Sequence, residues 1–309
     1  MIHNVVTQVQ QKAISQACRV LQVSRAGYYA ARRRSKQPTV CAASVQVKAA
    51  FVANQRCYGS RRIVDELQIQ GMAIGRYKVR RLMREAGLKP VWKRKFVSTT
   101  DSKHDLPVAE NLLNRQFNPP RPNQAWTSDI TYIRTKTGWL YLAAVMDLHS
   151  RKIIGWAMSP TMPAELVCRA LRMALGQRQP DAGLMLHSDR GSQYASHEYQ
   201  ALLKQYGIIC SMSRLGNCWD NAVMERFFLN LKMERVWQRE YANQMEATKD
   251  VTDYIVGFYN CQRRHSALGN LAPIVYEQQF VARQPIEVSG GVRNCLTTTE
   301  YSGGFAGRN

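Results

Sequence analysis

The sequence predicts an α/β domain preceded by small, basic, all-α units, and three observations carry that prediction. From residue 125 onward, runs rich in β-branched and aromatic residues come three in succession and then alternate with helical patterns. Ahead of residue 125, apolar residues recur at helical spacing between glycines placed to end helices. The charge divides at the same point. Residues 1–124 hold 23 Lys and Arg against 6 Asp and Glu, a net of +17, whereas residues 125–309 hold 20 against 16, a net of +4.

A chain of 309 residues with 45% hydrophobic side chains can bury two or three modest cores. A net charge of +21 points to a polyanion as partner, with nucleic-acid affinity that falls steeply with salt as counterions are released. The eight cysteines, at 18, 41, 57, 168, 210, 218, 261 and 295, form no C-x-x-C pair and no regular Cys/His spacing. Zinc and disulfide frameworks are therefore weak readings, and scattered thiols fit a reducing compartment. The start, Met1-Ile2-His3-Asn4, lacks the charged-then-apolar pattern of a secretory signal, and no apolar run reaches membrane-span length. The expectation is a cytoplasmic protein with no membrane partner.

Taken in order, residues 1–37 form a first unit. Ala13 to Ala31 reads as two short helices about a tight turn, with Ala17, Val20 and Leu21 in the first, Tyr28 and Tyr29 in the second, and Ser24 placed to cap the second. Arg32-Arg33-Arg34, with Lys36 and Pro38, reads as a basic linker along phosphates. Residues 38–97 form a second unit of three helices, Val45–Ala53, Ser60–Gln70 and Arg76–Ala86, with Gly71 and Gly87 as C-terminal caps. Ile63, Val64 and Leu67 face Val79, Leu82 and Met83, which leaves Arg76, Lys78, Arg80, Arg81 and Arg84 free to meet DNA from a helix-turn-helix. Residues 98–124, with Pro119, Pro120 and Pro122, read as a linker.

The α/β core spans residues 125–280. It opens with a strand around Trp126–Ile133, a turn at Lys136-Thr137-Gly138, an apolar strand Trp139–Met146 and a third strand Lys152–Met158, an antiparallel meander. Asp147, Ser150 and Arg151 shape the turn between the last two. A helix Ala164–Leu175, a short strand ending before Asp189, a helix His197–Tyr206, a strand Ile208–Met212, a helix through Glu225 and a helix Glu246–Arg264 follow. The tail 281–309, with Gly290-Gly291 and Gly303-Gly304, reads as flexible.

Two acids in the core differ in setting, and a third joins them. Asp189 ends a buried strand and opens a Gly-containing loop. Glu225 lies on a helix whose core stripe is Met224, Phe227, Phe228 and Leu231, and at about 100° per residue it shares one flank with Asn221 and Lys232. Asp129 sits within the first strand. Convergence of the three would make an anionic, oxygen-lined pocket suited to Mg²⁺ or Mn²⁺. Two such ions serve phosphodiester chemistry by activating one oxygen and stabilising another. His187, two residues before Asp189 in a buried strand, reads as structural. Asp220 reads as a helix cap, and Asn221 as a substrate contact.

The motifs Trp126-Thr127-Ser128-Asp129-Ile130-Thr131-Tyr132, His187-Ser188-Asp189-Arg190-Gly191-Ser192-Gln193-Tyr194 and Asn217 through Glu225 together resemble the DDE transposases of the IS3 family, whose core is of the retroviral-integrase type. Thirty-five residues separate Asp189 from Glu225, the family's D,D(35)E spacing, and Lys232 falls where the family has a basic residue near the active site. Tyr259 through Leu268, followed by Pro273, resembles the end of the same core. The likeness covers about Gln11 to Phe280. It implies an RNase H-like fold with the first and fourth strands adjacent, catalytic and metal-binding roles for Asp129, Asp189 and Glu225, two Mg²⁺ ions with Mn²⁺ as substitute, and DNA contacts by Lys232, Arg263 and Arg264. It further implies a bacterial, nucleoid-associated enzyme that binds terminal inverted repeats, cuts the element end and joins the 3′-hydroxyl to target DNA as a homo-oligomer in a synaptic complex. An upstream-frame protein, fused by frameshifting or cooperating, is a further implied partner. A hydrolytic nuclease and a catalytically idle DNA-binding regulator stand as alternatives.

Overall fold

The computed structural model describes residues 14–34, 41–91, 108–214 and 217–283. The basic run Lys93-Arg94-Lys95, Lys36 and Pro38, and the tail beyond residue 283 lie outside the described residues.

Among the described residues, five helices precede the sheet: α1 (Ile14–Val20), α2 (Arg25–Arg34), α3 (Ala42–Ala53), α4 (Ser60–Ile69) and α5 (Arg76–Glu85). Ile14, Cys18 and Tyr28 close a small core between α1 and α2, and the Ser24 hydroxyl accepts from the Gly27 N–H at 3.0 Å, the expected cap. Helix α2 runs on to Arg34, so Arg32 to Arg34 are helical where a linker was expected. Arginine is a good helix former, and the helix has no reason to stop before it. Helices α3 to α5 match their expected spans within a few residues, and Gly71 (φ 82°) and Gly87 (φ 63°) take the left-handed turns after α4 and α5.

The sheet has five strands: β1 (Ala125–Thr135), β2 (Gly138–Asp147), β3 (Ile153–Ser159), β4 (Met185–Ser188) and β5 (Ile209–Met212). Their order is β3-β2-β1-β4-β5, with β1 to β3 an antiparallel meander and β4 and β5 added in parallel to β1. Alternation sorts the side chains onto two faces. Ile133, Leu140, Leu142, Ala144 and Met146 point one way, and Trp126, Ala143, Val145 and Ile154 the other. The second group packs under α6 (Ala164–Arg178) and α8 (His197–Gln205), with the single-turn α7 (Ser192–Ala195) between β4 and α8. Gly155 of β3 permits this: a Cβ there would lie 2.3 Å from the Ala170 carbonyl oxygen and 2.7 Å from the Ala174 nitrogen.

The opposite face packs α9 (Ala222–Glu234), α10 (Gln244–Asp253) and a π-helical stretch, Tyr254–Asn260, before α11 (Pro273–Ala282). A continuous helix from Glu246 to Arg264 was expected. The chain instead leaves α-helical geometry at Tyr254, and Asn260 then pairs with the edge of β3, accepting from the Ile153 N–H and donating to its carbonyl, both at 2.9 Å. That side chain satisfies backbone groups of an edge strand.

The basic three-helix unit shares this second core. Ile63, Leu67, Val79 and Met83 join one buried cluster with Phe227, Leu231, Phe258 and Tyr259. The Tyr58 hydroxyl donates to the Gln262 carbonyl at 3.2 Å and accepts from the Arg264 N–H at 2.8 Å. The described part of the expected linker is also fastened down. Leu113 is buried beside Ala125 and Leu148, and Arg151 donates to the Phe117 carbonyl and to Asn118. Asp147 accepts from the His149 and Asn123 N–H groups, the turn-shaping role expected of it.

Candidate active site

Strand β1 pairs with β4 only over Ala125–Thr127, where Thr127 stands opposite His187. Asp129 and Asp189 each lie two residues beyond that last couple, so the register brings both acids to one end of two adjacent parallel strands. Asp129 accepts from the Ile130 N–H at 2.7 Å, and Asp189 from the Gly191 N–H at 2.9 Å. Burial pushes the Asp129 carboxyl well above the usual carboxylate range, and the negative charges of Asp189 and then Glu225 push the same way, against the Ile130 N–H. The floor beneath is sealed by the Tyr194 hydroxyl, 3.1 Å from Ser128 Oγ, whose own proton is held on by burial and by Asp129.

Glu225 sits in the first turn of α9 on its exposed side, and the protein crowding one flank still raises its carboxyl. The core stripe Met224, Phe227, Phe228 and Leu231 is buried as the periodicity predicts. Lys232, two turns on, places its ammonium 4.7 Å over the Tyr132 ring. Burial lowers its affinity for a proton, and the charge of Asp129 restores part of it. Asp129, Glu225 and Lys232 therefore feel one another across the open edge of β1.

The N-terminal end of α9 is anchored by residues the sequence read differently. Asn221, expected at the substrate, is buried. Its Oδ1 accepts from Thr127 Oγ1 at 2.6 Å and its Nδ2 faces the Ser128 carbonyl, so it bolts α9 to β1 beside Asp129. Asp220 is no helix cap, since Asn217 accepts from the Trp219 N–H there. Burial would raise the Asp220 carboxyl, but hydrogen bonds from Arg214 and Arg115 outweigh it and hold the carboxyl at about 2. Asn111 adds a donor at 2.7 Å. His187 is the structural histidine expected: fully buried, 2.9 Å from Ser211 Oγ and 3.2 Å from Ser213 Oγ, with burial lowering it to about 4.

The expected DNA contacts separate into two groups. Arg76, Lys78, Arg80, Arg81 and Arg84 all lie exposed on α5, with Val79, Leu82 and Met83 buried beneath. Arg263 and Arg264 do not. Arg263 is 4% exposed and donates from Nε and Nη2 to the two oxygens of Glu234 at 2.8 Å each, while Arg264 donates to Glu66 at 2.8 and 3.0 Å. Their guanidiniums knit the fold, and Arg263 has no surface from which to reach DNA. Among the described residues, one other cluster of possible ligand atoms is poorly suited to a metal. Ligand atoms of Glu165, Cys168 and Glu198 lie within 4.8 Å of one another, but Arg172 takes both oxygens of Glu165 and burial keeps the Cys168 thiol protonated.

Comparison with known proteins accords with this architecture. The HTH-like domain family matches residues 41–96, and integrase core domain families match residues 119–218 and 206–273. Transposase InsF for insertion sequence IS3A of Escherichia coli is 42% identical over 275 residues, which cover 87% of this chain and 96% of that protein. The chain belongs to the IS3 family of transposases. An insertion element IS600 31 kDa protein of Shigella sonnei is 43% identical over 270 residues, covering 85% of this IS3-family chain and 98% of that protein. Among solved structures, the HTLV-2 integrase catalytic core domain in complex with magnesium aligns with a TM-score of 0.41 at 16% identity, covering 51% of this chain and 98% of that one. As an IS3-family member the protein is a DNA transposase, a polynucleotidyl transferase with an RNase H-like integrase core behind a helix-turn-helix DNA-binding unit. Among its described residues no helix is long and apolar enough to cross a membrane.

Proposed function

We propose that Asp129, Asp189 and Glu225 are the catalytic carboxylates of this transposase and that they hold two divalent cations, Mg²⁺ with Mn²⁺ as a substitute. The observation that carries the reading is the strand register, which sets Asp129 and Asp189 two residues past the same paired couple and within electrostatic reach of Glu225. The donor chemistry fits: three carboxylates offer only hard oxygen ligands, and the charge they crowd together favours a cation between them. When bound, such ions activate an attacking oxygen and stabilise a leaving one in phosphodiester transfer.

The chain's own residues do the positioning. The Gly191 and Ile130 N–H groups orient the two aspartates, and Asn221 fixes the start of the Glu225 helix against β1. Lys232 offers its ammonium to a DNA phosphate beside Asp129. Helix α5 binds the terminal inverted repeats through Arg76, Lys78, Arg80, Arg81 and Arg84. One site then serves both reactions, nicking at the element end and attack of the freed 3′-hydroxyl on target DNA, with no covalent protein intermediate. The working form is a synaptic assembly of at least two copies on the bacterial nucleoid, with an upstream-frame region fused or cooperating. Residues 1–37 and 38–97 serve as the DNA-binding units, and 125–280 as the catalytic core.

The test is a Mg²⁺-dependent assay on labelled element-end DNA, comparing wild type with Asp189→Asn. Wild type should yield nicked and joined products, and the variant should bind the DNA and yield neither. A variant that still nicks removes Asp189 from the site. Nicked products without joined ones would reduce the protein to a nuclease.

A further inference from the structure

We propose that the uncovered half of the sheet beside the active site is a stacking platform for unpaired nucleotides of a DNA strand. The proposal rests on the transposase reading above and assigns the face next to it. Along β1, Thr131, Ile133 and Thr135 are buried while Ile130, Tyr132 and Arg134 alternate with them on the other face. The register sets Tyr132 opposite Tyr141 and Arg134 opposite Trp139 on β2. Helix α6 covers this face over Ala143, Val145 and Ile154, and Trp139 beyond it is 43% exposed.

These groups and Lys232 form a ladder, exposed at Trp139 and Arg134 and half-buried at Tyr132 and Lys232. Lys232 lies 4.7 Å over the Tyr132 ring, Tyr132 meets Trp139 edge-on at 5.1 Å and 90°, and the Arg134 guanidinium lies 5.6 Å over the Trp139 ring. Neither flanking cation takes part in a salt bridge among the described residues, whereas nearby Lys136 pairs with Glu240. An exposed cation–π contact contributes little and gives no reason to leave a tryptophan in water. Aromatic faces bracketed by free cations match the two parts of a nucleotide, a base to stack and a phosphate to neutralise. An apolar protein partner would bury Arg134 without a counter-charge and leave Lys232 only the charge of Asp129. Three residues put Tyr132 roughly 10 Å along the strand from Asp129 and on the opposite face; Lys232, which feels the charge of Asp129 and lies over the Tyr132 ring, joins the two around the open edge of β1.

The test is fluorescence anisotropy with the full chain, using labelled oligothymidine and, in parallel, labelled element-end duplex. Trp139→Ala should weaken oligothymidine binding about tenfold, Trp139→Phe should stay within about threefold of wild type, and neither should change duplex binding through α5. Arg134→Ala should weaken oligothymidine binding and make its loss with salt shallower, since it removes a phosphate contact. Oligothymidine affinity unchanged in Trp139→Ala, an equal loss on oligothymidine and duplex, or no oligothymidine binding by wild type would each overturn the proposal. Nicking by wild type and its absence in Asp189→Asn decide the active-site reading on a different substrate and readout, so either reading can fail alone.

Discussion

Two sets of arginines divide this molecule. On α5 the guanidiniums stand in water around a narrow apolar stripe, and the one ion pair there among the described residues, Arg81 with Glu85 at 3.6 Å, has both side chains 59% exposed. In the core a second set of guanidiniums is taken up by carboxylates. Arg263 grips Glu234, Arg264 grips Glu66, Arg115 and Arg214 grip Asp220, and Arg235 and Arg239 grip Asp250. The first set is available to a polyanion, and the second is structural. Residue type and local density do not separate the sets; a carboxylate partner held out of water does, since Glu85 is 59% exposed whereas Asp220 and Glu234 are buried.

The strongest way to break this comparison is at Arg263. Removing it leaves the buried Glu234 with the Tyr254 hydroxyl, 2.6 Å away, and the charge of Arg62 to compensate. Arg263→Ala should cost about 3–5 kcal/mol in urea unfolding, the penalty of an uncompensated buried charge, while DNA affinity per folded molecule stays unchanged. A variant of wild-type stability with weakened DNA binding would return Arg263 to the DNA-contact set and erase the distinction.

The sequence made the first set legible and hid the second, for a physical reason. Periodicity reports which side of an element is buried, so α3 to α5, the meander and the Met224–Leu231 stripe could be read directly. Asp129, Asp189 and Glu225 came through spacing and motif. An ion pair is a tertiary fact: Glu234 is 29 residues from Arg263 in the chain, and Glu66 is 198 residues from Arg264. No window of sequence contains both partners. The same holds for Asn221, whose partner Thr127 lies 94 residues away, and for the π-helical stretch, whose pairing with β3 depends on Ile153 over a hundred residues earlier. Tyr132 and Trp139 were also missed as a surface, because seeing them requires knowing that β4 stops pairing with β1 at Thr127.

Acid offers a second probe of the paired interior. His187 titrates at about 4 in the fold against 6.5 when unfolded, so its neutral form is the folded form. Its contribution is complete above pH 6.5 and is lost as pH falls from 6.5 through 4. Between pH 7 and pH 5 it should remove about 2 kcal/mol of stability. His265, lowered by burial and then by Arg263, Arg62 and Arg151, adds to the loss over the same window. Urea midpoints at the two pH values should differ clearly in wild type and less in His187→Gln. An equal pH slope in that variant would mean that His187 is not held neutral.

The pair Arg264–Glu66 tests whether the distinction is graded. Its side chains are 15% and 21% exposed, between the buried Arg263 pair and the open Arg81 pair, and it joins the basic three-helix unit to the core. A double-mutant cycle on Arg264→Ala and Glu66→Ala should return a coupling of about 1 kcal/mol in stability. A coupling as large as the whole cost of Arg263→Ala would show that bridging two parts of the fold matters more than burial.

The smallest effect on stability belongs to α5. Arg80→Ala removes an exposed side chain with no carboxylate partner among the described residues, so unfolding should shift by no more than about 0.5 kcal/mol. Binding should respond instead. If Arg80 meets a phosphate, affinity for element-end and unrelated duplex falls alike, and the slope of log affinity against log salt drops by about 1. If it reaches a base edge, the loss is confined to the element end, at about 1–3 kcal/mol, and the salt slope hardly moves. Measuring both duplexes over a salt series separates the cases. Unchanged binding to either would leave Arg80 a solvated charge, and exposure would then no longer suffice to define the DNA-facing set.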